Sequence, residues 1–120
     1  MHVDQFEVRL ARVRHRFATA LESKISDAVV SADHMTHDGH SALEYVSKSY
    51  RELHNICGIG PTVGFTATGD AASTAKAALI QAYPEKRGPT ENEILSLKRA
   101  LGKLRQVAAS ELRSMYQRGG

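Results

Sequence analysis

The chain has 120 residues, with 16 Lys and Arg against 13 Asp and Glu, and 42% of its residues are hydrophobic. This length predicts one domain over residues 1–120, because a second domain would have too little core. A single cysteine, Cys57, rules out an intrachain disulfide and favours a reducing compartment. The first residues lack a basic segment followed by an apolar stretch, and no apolar run approaches the ~20 residues of a membrane span. We therefore expect a soluble, cytoplasmic protein.

The first predicted helix runs from about Asp4 to Val30. Its apolar residues recur at spacings of three and four, which is typical of one buried stripe: Phe6, Leu10, Val13, Phe17, Leu21, Ile25 and Ala28. The polar stretch from Ser31 to Ser41 predicts a loop. Ser41 with Glu44 then predicts the capping box of a second helix.

The second helix ends near Gly58, Gly60 and Pro61. Its predicted stripe is Leu43, Val46, Tyr50, Leu53 and Cys57. A third, alanine-rich helix is expected from about Thr62 or Gly64 to Tyr83. Its inward candidates are Ala67, Ala71, Ala75, Ala78 and Ala82.

After a turn over Pro84–Pro89, the fourth helix is expected to begin with Thr90 as N-cap and Glu93 as its capping-box partner. Its predicted stripe is Ile94, Leu97, Leu101, Leu104, Ala108, Leu112 and Met115. No segment alternates with period two, so strands are not expected. The predicted fold is all-α, an antiparallel four-helix bundle.

The stretch from Arg51 to Phe65 holds the residues best suited to chemistry. At about 100° per residue, His54 lies on the flank of the second helix's apolar stripe, together with Arg51, Ser47 and Gly58. Gly58 leaves one side of the imidazole without a covering side chain. A glycine at an ordinary helix end beside a surface histidine would give the same pattern, so spacing alone leaves both interpretations open.

The run His54-Asn55-Ile56-Cys57-Gly58 followed by Gly64 resembles the signature of histidine phosphotransfer (HPt) domains. In that family the phosphorylated histidine is followed by an apolar residue at +2, Lys or Arg at +3, and glycine at +4 and +10. The order of the predicted helices is similar to the family over most of residues 5–115. Cys57 departs from the pattern, because it stands where the family usually has a basic residue.

The resemblance implies a phosphorelay intermediate, in which a receiver domain's phosphoaspartate passes its phosphoryl group to His54 and His54 passes it to another receiver. Response-regulator receivers and a hybrid sensor kinase would be the partners of a monomer. The receiver would supply Mg²⁺, so the chain itself would need no cofactor. Arg51 is the expected cationic neighbour, and Ser47, Asn55 and Gly58 are expected in the docking surface. The alternative is an HPt-shaped interaction module with weak or no phosphotransfer, as the departure at Cys57 allows.

Other chemistries are less favoured. The glycine-rich run Gly58–Gly64 lacks the Lys-Ser/Thr end of a P-loop and follows a helix, so neither an ATP site nor kinase activity is expected. His34, His37 and His40 beside Asp33 and Asp38 match no specific metal motif, so a polar loop is the better interpretation and no metal is expected. Cys57 faces the apolar stripe, which favours packing over a thiol nucleophile.

A nucleic-acid interface is the last alternative. The final helix is basic, with Lys98, Arg99, Lys103, Arg105, Arg113 and Arg118. It has neither a groove-reading motif nor an aromatic cluster for stacking bases. We therefore interpret these charges as a solvated face and expect no nucleic acid and no membrane as partner.

Overall fold

The computed structural model describes residues 4–35 and 39–118. Its elements are α1 (Gln5–His34), α2 (Gly39–Ile59), one 3₁₀ turn (Pro61–Val63), α3 (Thr66–Ala77), α4 (Ala82–Glu85) and α5 (Glu91–Gln117). The described residues contain no strand, which confirms the all-α prediction. None of the described helices is long and apolar enough to cross a membrane.

The first helix begins as the sequence predicts and ends later. The Asp4 carboxylate accepts a hydrogen bond of 2.9 Å from the backbone N–H of Phe6, which caps α1. At the other end Ser31 and Ala32 are buried, and the helix continues to His34. The loop predicted from Ser31 is therefore wrong in its first turn, because Ser31 and Ala32 are buried by packing and alanine is itself the best helix former.

The predicted start of the second helix is also wrong. Ser41 lies inside α2, which already begins at Gly39. It is therefore not the N-cap, and the capping box with Glu44 does not form there. Ala42, directly after Ser41, is only 1% exposed, so packing engages this first turn of the helix.

The first and last helices, α1 and α5, run in opposite directions. Between α1 and α5, Asp33 pairs with Lys98 at 3.0 Å and Ser26 accepts a hydrogen bond from Arg105 at 3.5 Å. Residue numbers thus rise along one helix as they fall along the other. It follows that the first turns of α1 extend beyond the C-terminal end of α5, at Gln117.

This offset explains an error in the predicted α1 stripe. Phe6 is 68% exposed and Val13 is 40% exposed, at and beyond the level of the last turn of α5, while Leu10 between them is half-buried against the core. The later members of the stripe are buried as predicted: Phe17, Leu21, Ile25 and Ala28.

The buried face of α2 is turned slightly from the predicted stripe. Its buried members are Ala42, Val46, Ser49, Leu53 and Ile56. Leu43, Tyr50 and Cys57 are only half-buried at the edge of this face. The edge matters for function because it carries the side chains that flank His54.

The third predicted helix is broken into pieces. Gly64 has φ of +92°, a left-handed conformation that favours glycine, and it ends the 3₁₀ turn before α3 begins. Gly69 allows α3 to approach that turn, since a Cβ there would lie 2.7 Å from Pro61 Cδ. Pro84 lies within α4, so the predicted turn begins later than expected.

The alanine positions of this region were predicted with partial success. Ala71, Ala75 and Ala82 are buried, whereas Ala67 is exposed. Ala78 is half-buried, and Ala72 is buried although it was not predicted to face inward. Ala67 and Ala72 both lie within α3, whose inward face includes Thr68, Ala71, Ala72 and Ala75, so the predicted stripe is misplaced at its start.

The last helix agrees with its prediction in full. Thr90 Oγ1 accepts a 3.1 Å hydrogen bond from the Glu93 backbone N–H, and the Glu93 carboxylate accepts one of 2.8 Å from the Thr90 backbone N–H. The seven predicted stripe residues are all buried: Ile94, Leu97, Leu101, Leu104, Ala108, Leu112 and Met115.

Candidate functional site

His54 is an exposed side chain on a helix that is anchored on both sides of it. Leu53 is fully buried and Ile56 is 1% exposed, so α2 cannot turn about its axis without losing core contacts. His54 follows Leu53 by one residue and therefore points away from the core, as the helical period predicts. The result is a solvent-accessible imidazole on a rigid support.

The nearest charged group comes from another helix. Lys76 Nζ lies 3.3 Å from His54 Nδ1, and Lys76 is on α3, 22 residues further along the chain. Sequence reasoning missed this residue because helix periodicity says nothing about which helices are neighbours. One signal was present: Lys76 is the single cation within the alanine-rich α3.

An aromatic column supports the imidazole. The Tyr50 ring is nearly parallel to the His54 ring, at 5°, with centroids 6.4 Å apart. The other neighbour of Tyr50 is Tyr83, whose ring stacks at 4.0 Å. Lys76 Nζ also lies 5.9 Å from the centre of the Tyr50 ring, within the range of a cation–π contact. His54, Tyr50, Tyr83 and Lys76 are called the His54 cluster below.

Arg51 is placed differently from Lys76. It is exposed on α2, three residues before His54, and makes no hydrogen bond or ion pair with any described residue. Its role as the cationic neighbour stays a prediction. The cation that contacts His54 in the structure is Lys76.

The other predicted surface residues divide between two places. Asn55 is exposed next to His54. Ser47 is half-buried two turns earlier and lines a cleft of about 390 Å³ between α2 and α4, with Tyr83 and Lys86 on its wall. Tyr83 thus belongs both to the cleft and to the His54 cluster, so the two features are continuous.

The motif residues after His54 have separable roles. Ile56 is buried and Cys57 is half-buried against the core, so both anchor the helix. Gly58 is exposed, and a Cβ built there would meet no atom within 4 Å. Packing therefore does not require a glycine at 58. Gly64, in contrast, is required by its positive φ.

The carboxylates with shifted pKa values, Glu52 and Glu93, are not members of the His54 cluster. Burial raises the pKa of Glu52, and Lys48, the next contribution, acts in the opposite direction. Hydrogen bonds from Arg87 hold the pKa of Glu93 down at about 2. Glu93 belongs to the start of α5, where its hydrogen bonds stabilise the fold.

The metal alternative finds no support in the part of the chain that is described. That part contains no group of three or more His, Cys, Asp or Glu able to hold a metal ion. The His34 ring instead stacks on Tyr45, with centroids 4.9 Å apart. His37, Asp38 and the His40 side chain lie outside the described residues.

Comparison with models of protein families, with curated proteins and with solved structures finds no match to this chain.

Proposed function

We propose that this chain is a histidine phosphotransfer protein that relays a phosphoryl group between receiver-domain aspartates through His54. The observation that carries the proposal is the His54 cluster, an exposed imidazole on an anchored helix with a lysine 3.3 Å away. The family resemblance of residues 54–58 and 64 points to the same histidine. We further propose that α1, α2, α3 and α5 form the antiparallel four-helix bundle of an HPt domain.

The cluster suits a nucleophile that is used by another protein. Imidazole forms phosphoramidates that remain good phosphoryl donors, so one side chain can accept and release the group. In-line attack on an aspartyl phosphate needs little from the carrier beyond position and positive charge. The receiver would bring the acidic pocket and Mg²⁺, and no cofactor of the carrier takes part.

Lys76 compensates for the missing basic residue at position 57. An ammonium about 4 Å from a unit negative charge is worth roughly 1 kcal/mol in aqueous surroundings. The lysine on α3 can supply that charge beside a phosphoryl group on His54, where the family usually draws it from the same helix. The departure at Cys57 is thereby reconciled with the function.

Gly58 and the surface around His54 allow a receiver domain to reach the imidazole. Since no packing contact demands the glycine, its value lies in leaving the approach to the imidazole open. Asn55 and the cleft beside Ser47 would contact the receiver, whose docking on this face places its aspartate over the ring. We propose that the protein works as a cytoplasmic monomer between a hybrid sensor kinase and response regulators.

Receiver-dependent labelling tests the function. The chain is mixed with a panel of phosphorylated receivers, and we expect a label that acid removes and base does not, confined to His54. His54→Gln should lose all labelling, while His15→Gln on α1, a change at another exposed histidine, should keep it. Full labelling of His54→Gln would contradict the assignment.

The second candidate is an interaction module, and the substitution of Cys57 for a basic residue is the observation that favours it. A module would bind receivers without accepting phosphate. Binding is measured by titration calorimetry with the unphosphorylated receivers beside the transfer assay. If receivers bind the chain but leave His54 unlabelled, the protein is an interaction module and not a phosphoryl carrier.

A further inference from the structure

The Lys76 contact determines which nitrogen of His54 carries the proton. A lysine ammonium has three donors and no acceptor, so it can bond to Nδ1 only where Nδ1 offers its lone pair. In a neutral ring the proton then resides on Nε2. The free lone pair of the imidazole is thus covered by Lys76, and the outer nitrogen is protonated.

This tautomer is unreactive toward a phosphoryl donor. Attack by Nε2 needs a lone pair on that atom, which requires the proton to be on Nδ1 instead. Attack by Nδ1 would require the lysine to leave. We propose that Lys76 holds His54 in a protected tautomer, and that carboxylates of the docking partner release it by drawing the lysine away. The inference rests on the proposed function for its second half only.

The surroundings of Lys76 make such a switch possible. Its ammonium is held by a neutral acceptor at 3.3 Å and by the face of Tyr50 at 5.9 Å, and no carboxylate of a described residue pairs with it. A carboxylate adds the attraction between two full charges to the hydrogen bond from an ammonium, whereas the imidazole nitrogen is a neutral acceptor. A partner with an acidic pocket therefore offers Lys76 a better acceptor than His54 does.

Phosphoryl transfer to Nε2 begins once Lys76 has moved away from Nδ1. With Lys76 on the partner's carboxylate, Nδ1 takes a proton from water and Nε2 loses its proton to water. The lone pair of Nε2 then forms the N–P bond while the P–O bond of the aspartyl phosphate breaks, and the aspartate carboxylate leaves with the electron pair. Nδ1 afterwards loses its proton to water, so one proton is released overall.

Return of Lys76 to Nδ1 completes the cycle. The ammonium then contacts the unprotonated nitrogen of the phosphorylated ring and lies near the phosphoryl group. Both contacts favour retention of the group until another acidic partner docks. The same lysine thus limits reaction with donors that lack carboxylates.

Diethyl pyrocarbonate tests the protected tautomer without any phosphotransfer. This neutral reagent acylates an imidazole nitrogen that bears a free lone pair, and near pH 8 an ordinary imidazole is uncharged. Lys76→Met keeps the length of the side chain and removes its donors. A hydrogen bond is worth about 0.5–1.5 kcal/mol, so His54 should react about two- to tenfold faster in Lys76→Met than in the wild type.

Controls are present in the same chain. Modification is followed peptide by peptide, and His15, exposed on α1, should react at one rate in every variant. Lys76→Arg retains donors and should restore the slow rate at His54. Lys103→Met, on the exposed face of α5, should leave it slow. Nitrogen-15 NMR should show the proton on Nε2 in the wild type and a larger Nδ1–H share in Lys76→Met.

The proposed tautomer would be wrong if diethyl pyrocarbonate modified His54 at equal rates in the wild type and Lys76→Met. It would also be wrong if the wild type carried the proton mainly on Nδ1. The release of Lys76 from His54 is tested with phosphorylated receivers. Phosphorylation of His54 should be no faster in Lys76→Met than in the wild type, because the partner already draws the lysine away. If Lys76→Met were phosphorylated by receivers about two- to tenfold faster than the wild type, the proposed release by carboxylates would be wrong. If no receiver labels His54, the proposed function fails and the release step fails with it, whereas the reagent and NMR still decide the tautomer.

Discussion

The start of α5 and the His54 cluster use similar polar side chains in opposite ways. At the start of α5, the Glu93 carboxylate accepts hydrogen bonds of 2.8 and 3.1 Å from Arg87 and another of 2.8 Å from the Thr90 backbone. In the His54 cluster, one contact of 3.3 Å joins His54 to Lys76, and the imidazole is exposed.

The difference separates stability from reactivity. Groups whose bonding capacity is filled hold a helix end in place, and their protonation changes little over the physiological range. A group with one long contact and an open side can exchange that contact for another. We expect substitutions at the start of α5 to change unfolding, and substitutions in the His54 cluster to change reaction with little effect on unfolding.

The largest expected effect in this comparison is at Gly58. Gly58→Leu should leave the helix content unchanged, because leucine is a good helix former and a Cβ there meets open space. Transfer from a phosphorylated receiver should fall at least tenfold, because the longer side chain reaches into the approach to His54. Circular dichroism and the initial labelling rate check both statements.

Gly58→Ala is the matched control. It should stabilise the chain by up to about 1 kcal/mol, the usual difference between alanine and glycine in a helix, and transfer should stay close to wild type. A loss of stability would show that the fold does need glycine at 58. An unchanged transfer rate in Gly58→Leu would show that access is not what the glycine provides.

At the start of α5, Thr90→Ala should destabilise the chain by about 1 kcal/mol, because it removes the side-chain oxygen that accepts from Glu93. Urea unfolding measures the change, and labelling of His54 should remain at the wild-type level. Thr74→Ala, at an exposed position of α3, provides a control, since Thr74 caps no helix. Equal stabilities of the two variants would contradict the role of the capping box.

Glu93 predicts a pH dependence of unfolding. Its pKa lies near 2, below the ordinary 4.5, so the unfolded chain binds this proton at a higher pH than the folded chain does. The stabilisation is present above about pH 4.5 and is lost as the pH falls through about 2. The difference in unfolding free energy between wild type and Glu93→Gln should therefore shrink over that interval.

Glu91→Gln serves as its control, because Glu91 is exposed in the same first turn and makes no contact with Arg87. The difference in unfolding free energy between wild type and Glu91→Gln should change less between pH 5 and pH 2 than the difference for Glu93→Gln. A constant difference for Glu93→Gln over this range would show that the Arg87 contact does not stabilise the folded chain.

The smallest effects concern which cation faces the phosphoryl group. At roughly 1 kcal/mol per charge, Lys76→Met should shift the equilibrium between phosphoreceiver and phospho-His54 about fivefold toward the receiver. Arg51→Ala should shift it less, because Arg51 makes no contact with His54. Cys57→Lys should shift it toward phospho-His54 if the half-buried side chain extends to solvent.

The phosphoryl partition is measured together with thermal unfolding, so that a misfolded Cys57→Lys variant is recognised. A larger effect of Arg51→Ala than of Lys76→Met would return the cationic role to Arg51. No effect of any of the three would mean that charge at these positions does not hold the phosphoryl group.

The sequence by itself determined the parts of this protein that depend on neighbours within one or two helical turns. The capping box of Thr90 and Glu93 and the seven-residue stripe of α5 follow from spacings of three and four along one helix. The same period placed His54 on the open flank of α2. These features need no knowledge of other helices, because hydrogen bonds and side-chain faces within a helix repeat with its own geometry.

Only the tertiary structure decided what surrounds those features. It extended α1 to His34, left Phe6 exposed beyond the end of α5, and broke the third helix at Ala77. It also brought Lys76 to His54 and Tyr83 to Tyr50. Residues separated by twenty or more positions meet only when helices pack, and the packing is set by the summed burial of all their faces, which no local spacing contains.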